Sequence, residues 1–252
     1  MKKLIGLLIM VLMLSDYVSG QATLDAVAYI ERGLVYYRNN DFDRAIENFT
    51  QAIRIDPNFA AAYNNRGFTY GIKRDYDRAI ADFDQAIRLN SNYADAYYNR
   101  GDTYFIKGDY DRAIADFNQS IRLDPNDDVS YNKRGMSFFH KGDYNRAIAD
   151  YEAALRINPN NPNVRGNLAF VFNNRGVDYF NKGDNDRAIA DYTQALSLNP
   201  NFTSAYNNRG ISYYNKGDIN RAIADFEAAL QINPNDAEVR GNLEFARQQR
   251  GR

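Results

Sequence analysis

Six aspartates, Asp41, Asp75, Asp109, Asp143, Asp184 and Asp218, each stand three residues before an arginine: Arg44, Arg78, Arg112, Arg146, Arg187 and Arg221. A second set of arginines recurs at Arg32, Arg66, Arg100, Arg134, Arg175 and Arg209. Paired carboxylates and guanidinium groups could do acid–base work, but a catalytic constellation normally occurs once. A residue repeated at one offset throughout a chain is scaffold, here helix caps and surface ion pairs such as Arg112 with Asp116 at i, i+4. His140 is the only histidine and there is no cysteine, so neither a His-based triad nor a zinc site of the usual ligands can be assembled. Asp75-Tyr76-Asp77 and Asp109-Tyr110-Asp111 resemble the start of a calcium loop but lack its glycine at loop position six and its closing glutamate. No phosphate-binding loop and no G-x-S-x-G stands anywhere. The residues therefore assign no catalytic site, no metal and no cofactor.

The recurrence itself organises the chain. The glycines Gly33, Gly67, Gly101, Gly135, Gly176 and Gly210 are spaced by 34, 34, 34, 41 and 34 residues, and a fixed period of this size means stacked supersecondary units. Within one period Ala94, Tyr97, Gly101 and Tyr104 fall on one face of a first helix, A. Gly108 suits a left-handed C′ position and Asp109 an N-cap, so a second helix, B, follows with Ala113, Ile114, Phe117 and Ile121 on its apolar stripe. One hairpin cannot bury both stripes, so neighbours must stack. Asn40 and Arg74 stand where the other turns have glycine, and for Arg74 this predicts either a different turn or strain.

The pattern resembles the tetratricopeptide repeat. Tyr29, Tyr63, Tyr97, Tyr131, Phe172 and Tyr206 occupy its large position, followed by the six glycines. Ala45, Ala79, Ala113, Ala147, Ala188 and Ala222 then match its small position in helix B, and Phe49, Phe83, Phe117, Tyr151, Tyr192 and Phe226 its aromatic one. Ser91, for the closing proline of repeat 2, and Ser120, for an alanine of repeat 3, are the departures. The resemblance implies an all-α fold, a right-handed superhelical solenoid of six helix-turn-helix repeats with a C-terminal capping helix. The expected boundaries are a signal peptide at 1–20, a lead-in at 21–25, repeats 1 to 4 at 26–161, an inserted two-turn helical extension at 162–168, repeats 5 and 6 at 169–236, and the cap at 237–252. The extension repeats a string of the cap, Val164 to Leu168 matching Val239 to Leu243, and seven residues keep the helix face to within roughly 20°. It is expected to run unbroken into helix A of repeat 5, with Asn161 as N-cap and Pro162 at N1.

What remains for function is a surface. One side of helix A, roughly 120° from the core stripe at 100° per residue, collects Asn64, Asn65, Tyr98, Asn99, Asn132, Lys133, Asn173, Asn174, Asn207 and Asn208. Phe105, Phe139, His140, Phe180 and Tyr214 lie on the same side. Asparagine is a poor helix former, while a ladder of amides offers donor and acceptor to the backbone of an extended chain. The resemblance implies that this face lines a concave groove for peptides. The ladder is similar to that of the O-GlcNAc transferase repeat region, whereas carboxylate capture would need a lysine where Val129 stands. The expected function is a non-enzymatic scaffold for an extended peptide or a partner protein. The alternative is a structural envelope protein that self-associates through repeat faces.

Lys and Arg number 31 against 32 Asp and Glu, a balance without the basic surplus of a nucleic-acid binder. Lys2 and Lys3 precede the apolar run Leu4 to Leu14, followed by Val18-Ser19-Gly20. The run is shorter than the roughly 20 residues of a membrane span and fits a secretory signal. Export to the periplasm or beyond is expected, with cleavage after Gly20 or Ala22 and no membrane insertion of the mature chain.

Overall fold

A computed structural model describes residues 24–250; the leader and its cleavage points lie outside them. The described residues form thirteen α-helices and no strand. The chain divides into two compact units between Pro125 and Asn126. The first contains α1 (residues 24–38), α2 (Phe42–Ile55), α3 (Ala60–Ile72), α4 (Tyr76–Leu89), α5 (Ala94–Ile106) and α6 (Tyr110–Leu123). The second contains α7 (Asp128–His140), α8 (Tyr144–Ile157), α9 (Pro162–Asn181), α10 (Asn185–Leu198), α11 (Thr203–Asn215), α12 (Ile219–Ile232) and α13 (Ala237–Arg250). Odd-numbered helices up to α11 are the A helices of six hairpins, even-numbered ones the B helices, and α13 packs on α12 as the cap.

Each hairpin forms for local reasons. The B helices begin where an aspartate side chain accepts the backbone N–H three residues on, as Asp109 does from Arg112, satisfying one orphan donor of the first turn. The turn before them needs a left-handed residue: Gly108 has φ +79° and Gly142 φ +75°. Arg74 adopts the same conformation, φ +63°, so repeat 2 keeps the common turn and carries the strain of a side chain there. Where A and B cross, the glycine makes room. A Cβ on Gly101 would stand 3.1 Å from both Asp116 Cβ and Phe117 Cε1, and one on Gly176 only 2.6 Å from Tyr192 Cε1.

The surface pair expected between Arg112 and Asp116 is not formed. Asp116 is buried on the side of α6 that meets α5, where Arg100 grips it with Nε and Nη2 at 2.8 and 2.6 Å. Arg112 turns back instead to Asp109 Oδ2 at 2.5 Å and lies over the Tyr104 ring. A buried carboxylate requires a charged partner with paired hydrogen bonds, and only the A-helix arginine reaches it. The same grip recurs sixteen residues apart in Arg66–Asp82, Arg134–Asp150, Arg175–Asp191 and Arg209–Asp225. The guanidinium also reaches helix B of the preceding repeat in Arg66 to Thr50, Arg100 to Asp84, Arg175 to Asn145 and Arg209 to Thr193.

Residues 162–168 belong to one uninterrupted twenty-residue helix, α9, which Asn161 caps through the N–H groups of Asn163 and Val164. Its first half sits on α8 as an A helix sits on the preceding B helix; its second half pairs with α10. Val164, Leu168 and Val171 are buried, as are Ala169 and Phe172.

Candidate ligand-binding face

The asparagines expected to form a ladder do not all face solvent. Asn64, Asn173 and Asn207 are buried, while Asn65, Tyr98, Asn99, Asn132, Lys133, Asn174 and Asn208 are half-buried. Within each unit the structure brings several of them together in pairs thirty-five residues apart. Asn99 Nδ2 donates to Asn64 Oδ1 at 3.0 Å, and Asn208 Nδ2 to Asn173 Oδ1 at 3.1 Å. Asn167 and Asn242, absent from the expected set, complete the series on Asn132 and Asn207, each at 3.0 Å. Asn207 in turn donates to Glu238 Oε1 at 3.2 Å, and Asn174 to the Phe170 carbonyl of its own helix at 2.7 Å. The accepting amide of each pair is therefore part of a bolt between neighbouring helices; Asn64, Asn173 and Asn207 are buried with their carbonyls satisfied there, while Asn132 stays half-buried. Tyr98 packs on Phe117, ring centroids 5.9 Å apart.

Sequence reasoning missed the apolar slots beside these bolts. In the first unit a slot of about 90 Å³ is lined by Phe68, Ile72, Phe83, Asn99, Thr103 and Ile106. In the second, one of about 170 Å³ is lined by Val177, Phe180, Asn181, Tyr192, Asn208 and Ile211. The two have the same construction: late residues of one A helix, the aromatic of its B helix as the floor, and the following A helix with its asparagine as the far wall. Phe68, Ile72 and Ile106 are exposed to 40%, 47% and 54%, a cluster of large exposed apolar side chains across two helices. The signal was present in the apolar residues late in each A helix, but their exposure depends on packing between repeats.

A larger cleft, about 420 Å³, opens where the second half of α9 stands over the turn between α7 and α8. It is lined by Lys141, Asn145, Arg175, Asp178, Tyr179 and Lys182 among others. Arg175 is held by Asp191 and by Asn145 at 2.7 Å, and Lys182 by Asp178 at 2.6 Å. Arg175 and Lys182 are thus held by the protein itself.

Among the described residues no group of His, Cys, Asp or Glu could hold a metal ion, and no helix is long and apolar enough to cross a membrane. The perturbed carboxylates belong to the scaffold. Burial pushes Asp116 and Asp150 above the usual carboxylate range against the pull of Arg100 and Arg134. The Arg112 and Arg187 N–H groups, then their guanidinium groups, hold Asp109 and Asp184 below it.

Comparison with known proteins gives the same architecture. Profiles of the tetratricopeptide repeat, described as TPR repeat or tetratricopeptide repeat, match residues 29–71, 73–128, 135–176, 176–217 and 203–236. No curated protein matches the chain. Among solved structures, YrrB, a TPR protein with an unusual peptide-binding site, is 24% identical over 76% of this chain and 94% of its own, with a TM-score of 0.60. MamA is 25% identical over 71% and 94%, TM-score 0.55. PilF of Pseudomonas aeruginosa is 17% identical over 88% and 97%, TM-score 0.58. Likenesses at such identities establish the fold, while the repeat profiles cover the described hairpins almost end to end. The chain belongs to the tetratricopeptide repeat family.

Proposed function

We propose that the chain is a non-enzymatic scaffold whose A-helix faces hold extended segments of a protein partner. The observation that carries this is the recurrence, once in each unit, of an apolar slot with an asparagine on its edge. An extended chain is held by backbone hydrogen bonds and selected through pockets for alternate side chains. Asn99 and Asn208 each spend one N–H on the neighbouring helix, and an amide has a further donor and acceptor capacity to offer. Recognition by such slots is apolar and weakly salt-dependent. The leader, with Lys2, Lys3 and the run Leu4 to Leu14, supports work in the periplasm or outside the cell. The alternative, an envelope protein that self-associates, is supported by the outer side of α1.

The test is a selection of displayed random peptides on the full chain, followed by titration of the selected peptides. Ile72→Ser/Ile106→Ser removes two exposed walls of the first slot and leaves the core untouched. Peptides rich in apolar side chains should be selected, and those seated in the first slot should bind the variant about tenfold more weakly, a loss of roughly 1.4 kcal/mol. Equal binding to wild type and variant by every selected peptide, or no selection at all, rejects these slots as the site.

A further inference from the structure

The outer side of α1 differs from α3, α5, α7 and α11 in what it leaves uncovered. The third position of helix A is buried in Ala62, Ala96, Ser130 and Ala205, and the tenth in Thr69, Thr103, Ser137 and Ser212. Their counterparts in α1 are Ala28 and Val35, and both are exposed, Val35 to 51%. Leu24, exposed to 65%, extends the same stripe, and at 100° per residue Glu31 and Arg32 flank it. Arg32 is the counterpart of Arg66, Arg100 and Arg209, which reach the preceding B helix. In repeat 1, however, Asn48 stands where the others have the gripping aspartate, and among the described residues Arg32 has no carboxylate partner. α1 thus has the sites of a joint, with Arg32 beside the stripe and, among the described residues, no helix against it.

We propose that this face docks a second copy of the chain, α1 against α1 in antiparallel register about a two-fold axis between Glu31 and Arg32. In that register Ala28 faces Val35 of the other copy, small against large. Glu31 faces Arg32, so both carboxylates and both guanidinium groups pair across the axis. Arg38 comes over the end of the partner helix that carries Asp25. A self-complementary patch of this kind closes as a dimer. Head-to-tail stacking on α13 is disfavoured, because Glu244 and Arg247 on its outer side are charged and exposed. One helix pair buries less than the roughly 1,600 Å² of a standard interface, so the dimer is weak and concentration-dependent.

The absence of native cysteine makes the register directly readable. In the full chain, with residues 1–23 retained, Ala28→Cys/Val35→Cys should oxidise to a covalent dimer. Within one copy these positions lie about 10 Å apart along the axis, beyond the roughly 7 Å Cα separation that a disulfide spans, so no internal bridge competes. Ala28→Cys alone should cross-link at least about tenfold more slowly, since its two copies are separated by the same distance across the two-fold. Adding Glu31→Arg to the double-cysteine chain should suppress the dimer, and adding Glu31→Arg/Arg32→Glu should restore it. Sedimentation of the unmodified chain should show mass rising towards two copies with concentration. A chain that stays monomeric and does not cross-link while melting cooperatively overturns the proposal; this is the outcome if its own residues 1–23 cover the stripe. Cross-linking by the single-cysteine chain as fast as by the pair overturns it as well.

Discussion

At the scale of the residue, the chain spends its charges on itself. Arg134 holds Asp150 through Nε and Nη2 at 2.8 and 2.6 Å, and the carboxylate is only 5% exposed. Arg134→Met leaves that carboxylate buried and uncompensated, which should cost about 3–5 kcal/mol, while Arg134→Met/Asp150→Leu should recover much of the loss. The pH dependence has a definite sign. Burial already raises Asp150 above its unfolded value, and a carboxyl raised on folding favours the folded state at low pH and loses that contribution as pH rises through its folded value. Removing the arginine raises it further, so urea midpoints of variant and wild type should lie closer at pH 5 than at pH 8. An equal gap at both would mean that Asp150 stays ionised without its partner. The positions of Arg134 and Asp150 were legible in the sequence, since both kinds of residue recur at fixed offsets. Their pairing was not, because a helix surface also offers i, i+4 partners, and only burial decides between them. The asparagines failed in the same way. That they share one side of helix A follows from the helical period, but the thirty-five-residue bolts from Asn99 to Asn64 and from Asn208 to Asn173 depend on how one repeat sits on the next. Replacing Asn99 by alanine therefore removes a donor from a buried carbonyl as well as a surface amide.

At the scale of the element, the hairpins are legible almost completely, because caps, left-handed turns and apolar stripes act within a few residues of each other. The B helices share one device, a carboxylate at the N-cap, which sets an acid limit on them. Asp109 and Asp184 are depressed on folding by the Arg112 and Arg187 N–H groups and then by their guanidinium groups. A depressed carboxylate contributes stability above its unfolded value, about 3.9, and that contribution is lost as pH falls through the folded value. Asparagine caps a helix nearly as well and does not titrate in this range. Asp109→Asn/Asp184→Asn should therefore lose less melting temperature than wild type between pH 4 and pH 2. Parallel curves would show that these caps do not carry the acid limit. The A helices have no such uniform cap. Phe59, Tyr93 and Phe202 stand at the N-cap of α3, α5 and α11 without a side-chain hydrogen bond, and packing against the preceding B helix must hold those ends.

At the scale of the whole molecule, a repeat chain must decide where to stop, and α9 and α13 give opposite answers from nearly one string. Both carry Val-Arg-Gly-Asn-Leu followed one residue later by phenylalanine. Both also bolt back by the same asparagine, and their arginines Arg165 and Arg240 each donate to the carbonyl of the proline six residues earlier. In α9 the next core positions are Ala169 and Phe172, buried in the helix that pairs with α10. In α13 the corresponding residues are Glu244 and Arg247, exposed, while Val239, Leu243 and Ala246 pack on α12. The ending is thus written in two side chains. Glu244→Ala/Arg247→Phe should give up the exposed Arg247–Glu227 pair but keep the apolar α12–α13 contact and the helicity, yet make the protein associate through its C-terminus, which light scattering against wild type would detect. A double variant as monodisperse as wild type would show that the charges do not act as the stop. The long α9 then has a historical meaning: it is what an old ending becomes when its last turn accepts an apolar surface. Length in this molecule is a heritable quantity that two codons can reopen, so an array of this kind can gain hairpins without redesigning any hairpin it already has.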